Sequence, residues 1–290
     1  MTQPADWFTR NLAEQPRRDM LPVEGAGIET LAWGKRGAPG LMFVHGSGAN
    51  ADWWTPFAPF FSASRRVGAF SLSGSGRSDW RETYSMDQHA REILACAEQL
   101  GLFDGAAKPW IVAHSMGAIP AARLAATDAG DRFAGLVMVD FGIIPLHLPA
   151  MVGKRPAWKN PSYASEEEAI ARFRLVPSQP DVARWLVEFI ARNSLVQRDD
   201  GRWHWRFDPS ADEKRGTSHR GKMAPVFARV RCPISFLWGQ YSPLMHPDTI
   251  AANLAVTPAG TRFVPLAEAY HHLMFDQPIG FVTAIRALLA

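Results

Sequence analysis

The chain has 290 residues, enough to bury one large core, with 47% apolar and 20% charged residues, an ordinary balance for a globular protein. Its formal charge is +3 and its basic residues are scattered among acids, which argues against a nucleic-acid partner. Two cysteines, Cys96 and Cys232, are too few for a disulfide framework, and no Cys/His spacing suggests zinc. The start has no apolar leader and no stretch is long enough to span a bilayer, so a cytoplasmic location is the expectation.

Taken in chain order, "IETLAWG" (28–34) reads as a short strand, and "LMFVHG" (41–46) as a strand buried on both faces. "RVGAFSL" (66–72) is a third strand, and helical spacing of apolar residues follows between Tyr84 and Leu100. "WIVAH" (110–114) runs into a small-residue helix over 116–126, and "LVMVD" (136–140) and "ISFLW" (234–238) are further buried strands. "TRFVPL" (261–266) is the last strand and 279–290 a closing helix. Alternating strands and helices predict right-handed crossovers and a mainly parallel sheet. The rhythm breaks between 146 and 228, where two helical patterns and no convincing strand are found. One opens with Ser165 and Glu168 at capping-box spacing; the other sets Val182, Trp185, Leu186, Phe189 and Ile190 on one face. This division predicts a core of 1–145 with 229–290 and a helical cap over 146–228.

The strongest chemical signal is "AHSMG" (113–117) between a strand and a helix. A serine at so sharp a turn needs small neighbours, met by Ala113 and Gly117, and the Met116 N–H at the start of a helix suits an oxyanion. "HGSGAN" (45–50) follows a buried strand, so its backbone can fold back beside that turn and offer the Ser47 N–H as a second donor. A third segment, "HHLMFDQP" (271–278), supplies a histidine between the last strand and the closing helix, with His271 and His272 both eligible.

These three segments resemble those of the α/β-hydrolase fold superfamily, and in particular its capped serine esterase and lipase-like branch. The resemblance covers the chain from about residue 25 and implies an α/β fold with a twisted, mainly parallel sheet flanked by helices and a cap inserted after the sixth strand. In such sequences the basic histidine commonly stands seven positions before a proline; counting back from Pro278 gives His271, with His272 as the fallback. The loop after the fourth strand departs from the common pattern, with Ser71 and Ser75 where Asp and His often stand. "GSGRSD" also imitates a dinucleotide loop, but Asp79 occupies the place of its third small residue, so no nucleotide site is expected.

The acid is the point of tension. The loop after "ISFLW" commonly carries it in this fold, and here Ser242 stands there. Asp140 ends the neighbouring strand and should emerge at the same edge of the sheet, within reach of an imidazole lying across strands about 4.8 Å apart. Asp248, Glu268 and Asp276 are weaker rivals. The resemblance therefore implies Ser115 as nucleophile, His271 as base, Asp140 as acid, and the Ser47 and Met116 N–H groups as oxyanion donors. It implies a small-molecule ester and water as reactants and no cofactor or metal. Lactones, thioesters, carbon–carbon bonds and cofactor-free perhydrolysis use the same machinery. A ligand-binding protein that lost turnover is the alternative from another class. Trp53, Trp54, Trp158 and Trp185 are candidates for an aromatic substrate pocket. Between 146 and 228, 14 Lys/Arg stand against 10 Asp/Glu, a surplus compatible with an anionic substrate or simply a solvated face.

Overall fold

The computed structural model describes residues 3–143, 160–180, 182–215 and 223–290. Among the described residues there are ten strands: β1 (Arg17–Val23), β2 (Ala26–Trp33), β3 (Gly40–Val44), β4 (Arg66–Phe70), β5 (Trp110–His114), β6 (Gly135–Val139), β7 (Leu195–Gln197), β8 (Trp203–Trp205), β9 (Ile234–Gly239) and β10 (Arg262–Leu266). Eight of them form one sheet in the order β1-β2-β4-β3-β5-β6-β9-β10. The first two pairings are antiparallel, and all those from β4 to β10 are parallel. The fold is thus the expected α/β architecture with a mostly parallel sheet.

The apolar runs are continuous because both sheet faces are covered. Alternate residues of one strand point to opposite faces. Met42 and Val44 join a core with Ile111, Ala113, Met138 and the helix Met86–Gln99, while Leu41 and Phe43 join another with Val112, Val139 and the closing helix Pro278–Leu288. Fully burying one such side chain contributes about 1.5–3 kcal/mol. The parallel order places the ends of β3, β4, β5, β6, β9 and β10 along one edge, so the loops after them meet there.

Strand β1 and the helix Asp6–Ala13 were not foreseen in the polar start. Residues 160–215 hold the two expected helices, Glu166–Arg172 and Arg184–Asn193, and also a β7–β8 hairpin where no strand was expected. The first helix is capped as anticipated, the Glu168 N–H donating to Ser165 Oγ at 3.1 Å. This segment docks on the loops at the sheet edge. The Asp208 N–H donates to the Gly74 carbonyl, the Gly76 N–H to the Arg206 carbonyl, and Asn50 Nδ2 to Ser194 Oγ. Tyr84 Oη donates to Asp208 Oδ2 at 2.8 Å, and the Gln179 side chain accepts the His272 N–H at 2.9 Å. Among the described residues no helix is long and apolar enough to cross a membrane.

Candidate active site

Strand β5 ends at His114, a short 3-10 turn spans Ser115–Gly117, and the helix Ala118–Ala125 follows. Ser115 has φ +52°, a left-handed conformation that a non-glycine residue adopts at a cost of order 1–3 kcal/mol. The turn is held tight by glycine. A Cβ on Gly117 would lie 2.3 Å from the His45 carbonyl oxygen, and one on Gly46 would lie 3.0 Å from Ser115 Cβ. The small residue after the serine is therefore demanded by the end of β3.

His45 fastens that loop. Its Nδ1 donates to the Gly46 carbonyl at 2.8 Å, and its Nε2 accepts the Leu72 N–H at 3.0 Å, which fixes the neutral tautomer. Burial pushes its pKa down to about 4, outweighing the Gly46 carbonyl and the Glu29 charge that favour protonation. The loop after β4 is braced from beneath: Ser71 Oγ donates to Glu29 Oε2 at 2.7 Å and accepts the Ala51 N–H at 3.0 Å. Glu29 and Asp52, both buried, share Arg18 and Arg77. Burial would raise the Glu29 pKa, but the Arg77 N–H, the Ser71 hydroxyl and the two guanidiniums together hold it below the usual range. The serine at 71 thus still supports the loop, through a carboxylate on β2.

On the other side of Ser115, His271 Nε2 lies 3.0 Å from Ser115 Oγ and His271 Nδ1 lies 2.7 Å from Asp140 Oδ1. Asp140 follows β6 directly, also with a left-handed φ of +51°, and its N–H donates to the Leu237 carbonyl. Its carboxylate is fully engaged: Oδ2 accepts the Gly239 N–H at 2.9 Å, and Oδ1 accepts the Ser242 hydroxyl at 2.6 Å. Ser242, the residue in the acid's common place, thus steadies the carboxylate that reaches His271 from the adjacent strand. Nothing in the sequence pairs positions 140 and 242, so this contact was missed.

The rivals go elsewhere. Glu268 accepts from the exposed Tyr241 hydroxyl, Asp276 accepts the Tyr270 N–H at 2.6 Å, and Asp248 lies in the first turn of the helix Pro247–Val256. His272 packs between Trp53 and Phe275. Burial first, then the neighbouring His271 and His114, push its pKa well below the usual imidazole range, leaving it a poor base. His114 is likewise held neutral by burial, and its Nε2 donates to the His271 carbonyl at 3.0 Å, tying the two loops together.

Ser47 and Met116 line one hollow, together with Gly74, Ser75, Phe207, Asp208, Asp212 and Arg215. Its space, including the open mouth, is about 370 Å³. The tryptophans expected there are placed differently. Trp54 stacks on Phe43 with ring centroids 4.7 Å apart, inside the core. Trp53 is buried against His272, and Trp185 packs on Phe8. Trp158 lies outside the described residues.

A sequence model of the alpha/beta hydrolase family matches residues 41–284, most of the chain. The chain belongs to the alpha/beta hydrolase family. This hydrolase is 27% identical over 285 residues to Esterase Rv0045c of Mycobacterium tuberculosis, covering 94% of the chain and 90% of the relative. A crystal structure of that esterase superposes with a TM-score of 0.75, at 20% identity over 100% of this chain and 99% of the other. E-2-(acetamidomethylene)succinate hydrolase superposes with a TM-score of 0.82, at 20% identity over 95% and 99% of the two chains, a likeness of fold.

Proposed function

We propose that this hydrolase cleaves carboxylic esters by an acyl-enzyme route through Ser115, His271 and Asp140. The hydrogen-bond chain from Ser115 Oγ through His271 to Asp140 carries the reading. Ser115 Oγ attacks the ester carbonyl carbon while His271 Nε2 takes its proton; collapse of the tetrahedral intermediate expels the alcohol, which leaves with that proton. Water, activated by the same imidazole, then hydrolyses the acyl-serine. Asp140 fixes the tautomer with the proton on Nδ1 and stabilises the imidazolium, itself held by the Gly239 N–H and the Ser242 hydroxyl. The N–H groups of Ser47 and Met116 serve as oxyanion donors, a role supported by their shared lining of the hollow. The segment 146–228 acts as a cap, a role supported by the contacts of its described part with the loops at the sheet edge.

The similarity to a curated esterase over most of both chains supports the ester as the bond cleaved. Lactone, thioester and carbon–carbon cleavage or perhydrolysis share this chemistry and differ in the pocket. Labelling with a fluorophosphonate tests the mechanism against a binding-only role: Ser115 is expected to react covalently, and Ser115→Ala to lose both labelling and p-nitrophenyl butyrate hydrolysis. An inert Ser115 in the folded protein would overturn the proposal.

A further inference from the structure

A buried cation stands beside the oxyanion loops. Arg215 lines the same hollow as Ser47 and Met116, with only 7% of its side chain exposed. Its Nη1 donates to Asp212 Oδ1 at 2.7 Å, which orients the guanidinium from one side. The Nε–H on its other edge is buried and has no hydrogen-bond partner among the described residues. A guanidinium has five donors in a rigid plane, and the edge formed by Nε and Nη2 is the one that grips a carboxylate with two parallel bonds. Asp208, a second carboxylate of the hollow, does not serve it: Oδ2 is taken by Tyr84 Oη and Lys214 Nζ, and Oδ1 by the Ser210 N–H and hydroxyl. A buried donor left idle in this way costs stability unless a ligand fills it. The Asp212 contact already balances the charge, so a purely structural role for Arg215 would not leave its Nε–H idle.

We infer that Arg215 is a specificity residue that binds an ionised carboxylate of the substrate, so that the preferred esters are monoesters of short dicarboxylic acids or esters with an equivalent free carboxylate. This inference rests on the proposed esterase reading of the same site. The carboxylate would occupy the hollow on the Arg215 side, with the scissile carbonyl near Ser47 and Met116. Arg215 touches no reacting bond, and its contribution belongs in binding discrimination.

The test uses the Ser115→Ala protein, which holds an ester without turning it over, and calorimetric affinities for monomethyl succinate, glutarate and adipate against their dimethyl esters. The charged member of the best pair is expected to bind about tenfold more tightly or better, the worth of a charge-assisted bidentate contact. Adding Arg215→Gln is expected to bring that ratio close to one, and Arg215→Lys to retain part of it. Because the ratio is internal to each protein, a general loss of affinity does not imitate the effect. Equal affinities in the Ser115→Ala protein, or a ratio that Arg215→Gln leaves unchanged, would overturn the inference. Wild-type turnover is read separately. Turnover of dimethyl esters without charge preference would remove the carboxylate site and leave the esterase; preferential monoester binding without turnover would do the reverse.

Discussion

The least expected atom of the site is the hydroxyl of Ser242. At 2.6 Å from Asp140 Oδ1, it donates to the same oxygen that faces His271 Nδ1. Removing it leaves the carboxylate held by the Gly239 N–H alone among these loop donors. Ser242→Ala is therefore expected to lower kcat about tenfold with KM little changed, the loss of one hydrogen bond to a charged group, measured on p-nitrophenyl butyrate. The closeness of the two positions also predicts a transplant. Asp140→Asn combined with Ser242→Asp should recover at least about tenfold of the kcat lost in Asp140→Asn alone, because a carboxylate at 242 can reach the imidazole. The meeting of Ser115 and His271 was legible from local segments, and that of Asp140 with them from its place at a strand end. Ser242 was not, since a contact across 102 residues leaves no local trace.

Local elements were legible wherever burial imposed a pattern. β3, β5, β6 and β9 are buried along nearly their whole length and announce themselves as apolar runs. β1 does not: it is an edge strand, exposed or half-exposed until Val23, and it contains Pro22, which an edge tolerates. The β7–β8 hairpin consists of three-residue strands, too short for a period to show. The turn at Ser115 was readable as a motif, but the demand on Gly117 comes from β3. Gly117→Ala would press a methyl against the His45 carbonyl at 2.3 Å, and either the turn or the loop must yield. Fluorophosphonate labelling of Ser115 in that variant is expected to slow about a hundredfold or more, the effect of displacing an oxyanion donor. Labelling at the wild-type rate would show that the turn does not depend on this contact.

At the scale of the whole molecule, burial of histidines sets the response to acid. His45 and His89 are pushed down to about 4 and about 3, and His114 and His272 well below their usual value, burial being the main cause in each. Below the ordinary imidazole pKa of about 6.5 the unfolded chain takes up protons that the folded chain refuses, so stability falls with falling pH. Each histidine contributes a slope approaching about 1.4 kcal/mol per pH unit until the pH reaches its own folded value. Glu29, held low, adds a loss in the same direction below about pH 4.5, while Glu92, raised by burial, opposes the decline above that pH, where the folded chain takes up its proton first. Urea unfolding between pH 6.5 and 4.5 is expected to show this steep decline, and His89→Phe to flatten it by about one histidine's share. An unchanged slope in that variant would contradict the neutral state of buried His89. The mainly parallel sheet, which brings six strand ends to one edge, followed from the alternation of elements. The docking of 160–215 did not, because it rests on polar contacts such as Tyr84 with Asp208 that carry no periodic signal.

The proposed hydrolysis depends on the Ser115–His271–Asp140 chain working as one unit. Its most direct test is the kcat for p-nitrophenyl butyrate of the wild type and of Asp140→Asn, at one pH and with folding checked by circular dichroism. A wild type that turns over and a variant about a thousandfold slower or worse are predicted, as expected when an imidazole loses the carboxylate that orients it. Equal rates in the two proteins, or no turnover by the wild type, would contradict it.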